Sequence, residues 1–342
     1  CDSKSKSKTE TALEFGATVA EDRIEVENGV VKGRNGELYL GGGAHGMLEF
    51  ATGRAVVAAP LIVALRNNLE RRKRIADEFR LPFLHLIAPE KYKVYREDFP
   101  VENAISPVDH YLRAGVSDFL YPDEELRRET RGRTYFKTDT HWAPHGIARV
   151  VSLIAARFGR SAADIELIEQ EMMAALTPHA FVGDLGGKLT PKVEEHSFRA
   201  RGSHMYRTAD NGLARDPAHN VNDARLIVAL SDFPTAQGRL MIFGSSFMMT
   251  SLPFLAMAFK RVIFCRTRFL HPEMIYMCKP DFVLTEMAER YLTNTPNDEG
   301  APPFLIMPRL LDRTPSWPEE GLRDMVRELS GGCDINWGLF GR

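Results

Sequence analysis

The sequence predicts an α/β fold with a mostly parallel central sheet, and two patterns carry that prediction. Short apolar runs, each suited to one strand, recur in the second half of the chain with a helical stretch between the first two. In the first half, a helical stretch leads directly into another apolar run. Such alternation is typical of parallel sheets, because parallel neighbours need a crossover connection. The strand-like runs are 82–89, 240–243, 261–265 and 281–285, and the helical stretches are 56–79 and 248–259.

The chain begins with a polar segment rich in lysine and serine, so we expect residues 1–20 to form a flexible tail. Residues 21–342 are predicted to form a single domain, because no repeat or compositional boundary divides them. Closely spaced prolines after residue 300 predict an irregular C-terminal extension with one helix near 319–329. Two interpretations of Cys1 stay open: a lipid-modified cysteine, or the remainder after an upstream signal or anchor was removed.

The first ordered element is a predicted β-hairpin over 29–40, because two short apolar runs flank an Asn-Gly pair that favours a tight turn. The helix over 56–79 carries a basic cluster, which we interpret as a solvated face, with binding of an anionic ligand as the alternative. Apolar residues recur at helical spacing from Ile147 to Phe158, so an amphipathic helix is predicted from Pro144 to Gly159. The other predicted elements are helices at 108–114 and 164–176, a strand at 118–122, a glycine-rich loop at 181–189 and weak strands within 190–238.

The composition indicates a globular protein, since 44% hydrophobic residues suffice for a sizeable core. The 44 basic and 46 acidic residues are well mixed, so the net charge of −2 provides no field for nucleic acid or an anionic membrane. No apolar run approaches the ~20 residues of a membrane-spanning helix. No CxxC pair indicates a zinc or redox site, and whether Cys265 and Cys278 form a disulfide stays open.

Two separated stretches hold the residue types of a serine hydrolase site. Asp139 and His141 lie in Tyr-Phe-Lys-Thr-Asp-Thr-His-Trp, just before the helix that starts at Pro144, and Ser246 follows a strand that breaks at Gly244. A serine hydroxyl becomes a nucleophile when an imidazole takes its proton and a carboxylate orients that imidazole. In an extended segment, side chains two residues apart point to the same side. We therefore predict Ser246 as nucleophile, His141 as base and Asp139 as the orienting acid.

Two other interpretations compete with this site. A Gly-Ser-Ser sequence is often a helix cap without catalytic function, and Ser245 is a second candidate hydroxyl. Asp139, His141 and His145 offer metal ligands, but Pro144 favours a helix that begins between the histidines and takes them off a common face. We therefore predict neither a metal nor a cofactor.

The Asp-Thr-His-Trp motif, combined with Gly-Ser-Ser-Phe at 244–247, resembles the alginate O-acetyltransferase family of AlgJ/AlgX type. The acid and histidine precede the serine here, as in that family, whereas they follow it in ordinary SGNH hydrolases. The glycine and asparagine oxyanion blocks of ordinary SGNH enzymes are not recognisable. The resemblance spans about residues 29–295, with further similar blocks at 36–40, 88–91, 94–95, 183–185, 280–286 and 289–292.

The resemblance implies a three-layer, flavodoxin-like α/β fold of the SGNH-hydrolase type. It also implies transfer of an acetyl group, through an acyl-serine, onto sugar hydroxyls of an exported polysaccharide. The implied partners are a polysaccharide or oligosaccharide acceptor and a membrane-bound protein that donates acetyl, and the implied location is periplasmic or otherwise extracytoplasmic. A carbohydrate acetylesterase and a non-catalytic polysaccharide-binding or assembly subunit are the alternatives.

Further residues near the motifs are candidates for substrate contact. Trp142 is predicted to stack on a sugar ring, with packing at a helix start as the alternative. Arg266 and Arg268 are predicted to contact an acidic sugar or the oxyanion, with a plain surface position as the alternative. Glu286 and Arg290 are expected to form a structural ion pair.

Overall fold

The computed structural model describes residues 24–213, 223–317 and 321–333, and its centre is a six-stranded sheet. In spatial order the strands are β4 (Phe83–Ala88), β11 (Phe282–Ala288), β9 (Arg239–Gly244), β10 (Arg261–Arg266), β8 (Leu226–Ser231) and β7 (Tyr206–Asp210). The first four strands run parallel, and β8 and β7 are added in antiparallel pairings. The predicted α/β fold with a mostly parallel sheet is therefore confirmed.

Two smaller sheets lie outside the centre. One contains β1 (Val26–Glu27), β2 (Val30–Lys32) and β3 (Leu38–Leu40), and the other pairs β5 (Leu176–Val182) with β6 (Glu194–Ala200). The helices are α1 (Met47–Ala51), α2 (Ala59–Glu78), α3 (Lys91–Val94), α4 (Pro107–Arg113), α5 (Asp123–Arg127), α6 (Pro144–Arg157), α7 (Ala162–Ala174), α8 (Ser246–Thr250), α9 (Leu252–Ala258), α10 (Pro272–Cys278), α11 (Met307–Leu310) and α12 (Leu322–Leu329). Short 3₁₀ turns are found at Gly186–Lys188, Glu289–Asn294, Asp298–Gly300 and Phe304–Ile306.

Helices cover both faces of the central sheet. Successive residues of a strand point to opposite faces, so apolar residues on both faces need a covering layer. On β9, Leu240 and Ile242 pack into a core shared with α6 and α9. Met241 and Phe243 point the other way and pack with residues of α10 and α12. A further apolar cluster joins α2 to the β1–β3 sheet and to the outer part of the central sheet. The result is the predicted three-layer arrangement.

Most predicted elements are confirmed close to their expected bounds. The hairpin turns at Gly36, which has a positive φ of 81° that favours glycine. Helix α6 begins at Pro144 as expected, and Gly159 follows its end with a φ of 87°. The four predicted strands at 82–89, 240–243, 261–265 and 281–285 are all in the central sheet.

Several local predictions are wrong, each for a physical reason. Segment 118–122 forms only one bridge, between Leu120 and Leu86, because it lacks a continuous partner. The helix over 248–259 is divided at Ser251, since Pro253 lacks the amide hydrogen that would continue it. Strand β5 takes the start of the expected loop at 181–189. Strand β8 is one of the weak strands expected within 190–238, but it is fully buried, because its alternate side chains pack into the cores on the two faces of the sheet.

The basic cluster on α2 is only partly a solvated face. Arg72 is 3% exposed and forms a salt bridge with the buried Asp298 at 2.7 Å. Cys265 and Cys278 are buried free thiols. Within the described ranges, no helix has the length and apolar character needed to cross a membrane. The predicted tail 1–20, with Cys1, lies outside the described residues, and the single-domain assignment stays a prediction.

Candidate active site

The carboxyl ends of the four parallel strands meet at one edge of the central sheet. Ser246 follows β9, Arg266 and Arg268 lie at the end of β10, and Arg290 follows β11. Open α/β sheets commonly bind ligands outside the carboxyl ends of their strands. The predicted site residues therefore converge on the part of the fold that suits a ligand site.

Ser246, His141 and Asp139 form a continuous hydrogen-bonded chain. Ser246 Oγ lies 2.8 Å from His141 Nε2, and His141 Nδ1 lies 2.7 Å from Asp139 Oδ1. The imidazole of His141 is 22% exposed and the carboxylate of Asp139 is 14% exposed, so solvent-borne molecules can reach the histidine. The three residues have the mutual contacts that activation of a serine hydroxyl requires.

The segment that carries Asp139 and His141 is a closed loop, whereas an extended segment was expected. Tyr135 and Trp142 form an antiparallel bridge, and the Phe136 amide donates to the His141 carbonyl at 3.2 Å. The Asp139 carboxylate accepts the His141 amide at 2.8 Å, which turns both side chains inward. A local side-chain to main-chain bond therefore places the acid beside the imidazole.

Asp184 holds this loop from outside. Its carboxylate accepts the Thr140 amide at 2.8 Å and the Thr140 hydroxyl at 2.6 Å. In return, the Asp184 amide donates to Asp139 Oδ2 at 2.9 Å. Both oxygens of the Asp139 carboxylate therefore have backbone partners, which keeps the acid oriented toward His141.

Lys91, at the start of α3, holds the loop from inside the protein. Its ammonium is 3% exposed and donates to the carbonyls of Leu38, Phe136 and Lys137 at 2.6–3.0 Å. Lys91 Nζ also lies 2.9 Å from Glu37 Oε2, as an ion pair without hydrogen-bond alignment. Burial lowers the pKa of Lys91, and the charge of Glu37 partly offsets that effect. One buried amine thus joins the β-hairpin to the loop.

The two serines after Gly244 have different partners. Ser245 caps α8 by accepting the Phe247 amide at 3.2 Å, and its hydroxyl donates to the buried Glu286 at 2.8 Å. Ser246 is the first residue of the helix and points toward His141. The capping function expected of the Gly-Ser-Ser sequence therefore belongs to Ser245, and Ser246 Oγ is the hydroxyl that faces the imidazole.

The two carboxylates around the site have opposite pKa shifts. Burial alone would raise the pKa of Asp139, but the hydrogen bond and charge of His141, with two backbone amides, lower it to about 2. Burial raises the pKa of Glu286 to about 7, because the bonds from Ser245 and the charges of Arg266 and His141 offset only part of the desolvation. Asp139 is therefore ionised at neutral pH.

The group of possible metal ligands differs from the expected one, because Asp184 takes the place of His145. His145 lies in the first turn of α6, as expected from Pro144, and is outside the group with suitable ligand spacing. In the described part of the chain, Asp139, His141 and Asp184 place ligand atoms within 4.8 Å of one another. Hydrogen bonds to Ser246, to Thr140 and to backbone amides engage the same side chains. Hydrogen bonding alone accounts for this cluster.

Ser246 and His141 open onto a cleft of about 450 Å³. Arg266 is 7% exposed and donates to the Gly244 carbonyl at 3.2 Å, while Arg268 donates to the Asn294 carbonyl at 3.2 Å. Both arginines line the cleft, and their contact with a substrate stays a prediction. The remaining lining residues are Leu40, His45, Thr140, Asp184, Asp223, Phe247, Ala288, Arg290, Tyr291 and Leu311.

Trp142 is not positioned to stack on a ligand. Its side chain is 1% exposed and packs edge-on against Phe247, with ring centroids 4.8 Å apart. The prediction of a sugar contact is therefore wrong, because the loop turns this ring into the core next to α8. Trp142 instead joins the loop to α8.

The expected ion pair between Glu286 and Arg290 is also wrong. Glu286 binds Ser245, whereas Arg290 donates to Glu90 at 2.8 Å and lies over the Phe247 ring, 5.8 Å from its centroid. Glu286, Arg290 and Asp184 lie beside the site, and the sequence patterns predicted no site function for any of them. Their blocks contributed to the family resemblance, which was the available signal.

These features define an α/β protein with a serine, histidine and aspartate constellation at the carboxyl edge of its sheet. No protein-family model matches the chain, and no curated protein matches it. Among solved structures, a DHHW family protein from Eubacterium siraeum is similar at 14% identity and a TM-score of 0.52, over 86% of this chain and 98% of that one. That likeness concerns the fold alone.

Two further solved structures are similar at lower scores. The O-acetyltransferase domain of Pseudomonas putida AlgJ has 16% identity and a TM-score of 0.44, over 83% of this chain and 99% of that one. Bacillus cereus PatB1 has 14% identity and a TM-score of 0.48, over 79% of this chain and 96% of that one. At these scores, neither likeness indicates a function for this chain.

Proposed function

We propose that this protein is an O-acetyltransferase that carries an acetyl group on Ser246 and passes it to a sugar hydroxyl of a polysaccharide. The observation that carries the proposal is the bonded chain Ser246–His141–Asp139, with contacts of 2.8 and 2.7 Å, which opens onto a cleft. Such a chain supplies the base and the oriented imidazole that acyl transfer through serine needs.

In the first half-reaction, Ser246 Oγ attacks the carbonyl carbon of an acetyl ester while His141 Nε2 takes the hydroxyl proton. The bond between that carbon and the donor oxygen then breaks, and His141 returns the proton to the leaving oxygen. In the second half-reaction, a sugar hydroxyl gives its proton to His141 and attacks the acyl-serine, and the proton passes to Ser246 Oγ as it leaves. Asp139 keeps Nδ1 directed and stabilises the imidazolium.

The cleft arginines complete the proposal. Negative charge develops on the acetyl oxygen in both half-reactions, and preorganised donors near it lower the barrier. Arg266 lies against the Gly244 carbonyl, beside Ser246. We therefore assign Arg266 to stabilising the negative charge on the acetyl oxygen. Arg268 lies farther along the chain from β10 and also lines the cleft, so we assign it to an anionic group of the acceptor.

The family resemblance supports the rest of the proposal: a polysaccharide acceptor, a membrane-bound acetyl donor and an extracytoplasmic location. The Asp-Thr-His-Trp and Gly-Ser-Ser-Phe motifs of that resemblance are the residues that form the bonded chain. A carbohydrate acetylesterase is the second candidate, because His141 is 22% exposed and the cleft admits water to an acyl-serine.

The test is to incubate the protein with a chromogenic acetyl ester, with and without oligosaccharides, and to analyse protein and sugars by mass spectrometry. We expect one acetyl on Ser246 and acetylated sugar, both lost in Ser246→Ala and reduced at least ~10³-fold in His141→Ala. Thr250→Ala, which removes a hydroxyl from the same helix, is the control and should retain both products.

The outcomes separate the three functions. Free acetate without acetylated sugar, from a wild-type protein that does acylate Ser246, would favour the esterase. A folded wild-type protein that accumulates no acyl-serine and turns over no ester would favour a non-catalytic subunit.

A further inference from the structure

We infer that Glu286 is a positioning residue for the nucleophile: its buried carboxylate anchors the residues on both sides of Ser246 and thereby keeps the hydroxyl opposite His141. The inference rests on the proposed function, since it assigns Glu286 to the same reaction. Glu286 lies on β11, next to β9, whose end carries the nucleophile turn.

Among the described residues, both hydrogen bonds of the Glu286 carboxylate are to Ser245, the residue before the nucleophile. Glu286 Oε2 accepts the Ser245 amide at 2.6 Å, and Oε1 accepts the Ser245 hydroxyl at 2.8 Å. That hydroxyl in turn accepts the Phe247 amide at 3.2 Å. The residues before and after the nucleophile are therefore connected to a single carboxylate, directly or through one hydroxyl.

The burial of the Glu286 carboxylate costs free energy, because a buried carboxylate loses its hydration. Glu286 is 3% exposed, and within the described ranges no basic side chain forms a salt bridge with it. The groups that face it are Ser245 from the turn, Arg266 from the end of β10 and His141 from the loop. A carboxylate placed under the reacting pair, without an ion-pair partner, suits a role in the site.

Gly244 shows how closely the turn is fitted to this carboxylate. A Cβ at position 244 would lie 2.9 Å from Glu286 Oε2, closer than real Cβ contacts allow. A larger residue at this position would push the carboxylate aside, so glycine allows the Ser245 amide to lie 2.6 Å from Glu286 Oε2. Gly244 and Glu286 together fix the backbone of the residue before Ser246.

Glu328, on α12, provides a matched control because it contacts the opposite end of β9 from the Ser246 turn. It is also 3% exposed, and it binds Arg239, the first residue of β9, at 2.8 Å. The experiment compares Glu286→Gln and Glu286→Leu with Glu328→Gln and Glu328→Leu. For each variant it measures folding, kcat and KM for an acetyl ester, and the rate at which a fluorophosphonate probe labels Ser246.

We expect Glu286→Leu to lower kcat and the labelling rate ~100-fold with little change in KM, as displacement of a catalytic group does. Glu286→Gln keeps an acceptor for the Ser245 amide, so it should lose only ~10-fold. In both Glu328 variants, kcat and the labelling rate should stay within twofold of wild type, even if the variants are less stable.

Equal kcat and labelling rates in the Glu286 and Glu328 variants would overturn the inference. If Glu286→Leu does not fold, Glu286→Gln decides: values within twofold of Glu328→Gln would overturn it as well. A wild-type protein that neither turns over the ester nor reacts with the probe would instead overturn the proposed function, and the inference with it.

Discussion

The two halves of the candidate site are held in place in different ways. The nucleophile half, at the end of β9, is anchored from within the sheet by Glu286, and its apolar neighbours belong to the main core. The acid–base half, the loop with Asp139 and His141, packs Tyr135 and Trp142 into the same core, and polar groups hold the segment between them. Lys91 binds its carbonyls from inside, and Asp184 binds Thr140 from outside.

This difference teaches where each half is vulnerable. A core-anchored turn resists local opening, because opening it would disturb the central sheet. A segment held by buried polar groups is destabilised when one of them is removed, because its partners are then left buried and unpaired. Substitutions in the two halves should therefore separate activity from global stability in different ways.

Lys91→Met should have the largest effect on the acid–base half. It leaves the carbonyls of Leu38, Phe136 and Lys137 without their donor and Glu37 without its buried partner, so we expect a loss of ~3–5 kcal/mol in unfolding free energy. Urea denaturation measures this loss. Lys93→Met is the control: its ion pair with Asp109 is more exposed, and we expect a loss of about 1 kcal/mol. Equal losses would contradict the special position of Lys91.

Between pH 4.5 and pH 8, the stability contribution of Glu286 should change with pH, whereas that of Asp139 should not. The pKa of Glu286 is raised from its ordinary 4.5 to about 7, so its contribution is present below 4.5 and is lost as pH rises through about 7. Relative to wild type, Glu286→Gln should therefore gain ~3 kcal/mol between pH 4.5 and pH 8.

Asp139 should show no pH dependence of its stability contribution in the same measurement. Its pKa is lowered from 3.8 to about 2, so its contribution is present above 3.8 and is lost only as pH falls through about 2. The stability difference between Asp139→Asn and wild type should stay constant from pH 4.5 to pH 8. Denaturation curves across this range that show parallel trends for both variants would contradict the assigned shifts.

Gly183→Ala should damage the loop half selectively. A Cβ at position 183 would lie 2.2 Å from the Thr138 carbonyl oxygen, so the backbone beside Asp139 must shift, at a cost of ~1–3 kcal/mol. Activity should fall more than stability, because the shift displaces the acid. Gly187→Ala is the control, since its Cβ would meet only Val182 Cγ1 at an ordinary 3.7 Å. Comparable activity of the two variants would show that the loop adapts.

Trp142→Phe should have the smallest effect and tests the corrected assignment. The indole is buried against Phe247 and connects the two halves, so the smaller ring should cost ~1–2 kcal/mol while KM for a sugar acceptor stays unchanged. Trp317→Phe, at a side chain that is 44% exposed, should change neither quantity. A large rise in acceptor KM without a loss of stability would restore the sugar-stacking interpretation.

Sequence patterns predicted the elements whose signals are local. Helix α6 follows from its apolar spacing and Pro144, and the turn after β9 follows from an apolar run that ends in Gly-Ser-Ser. The choice of Ser246, His141 and Asp139 followed from residue chemistry, and the structure places them in contact. The sequence predicts β8 only as a weak strand within 190–238, because its position inside the sheet depends on pairing with β7 and β10.

The sequence by itself determined the order of strands and helices and the residue types of the site, because periodicity and turn chemistry act over a few residues. Only the tertiary structure decided what surrounds those residues. It turned Trp142 inward, paired Arg290 with Glu90, and placed the Glu286 carboxylate under the nucleophile turn. These contacts join segments up to about two hundred residues apart, such as Glu90 and Arg290, so no local pattern specifies them.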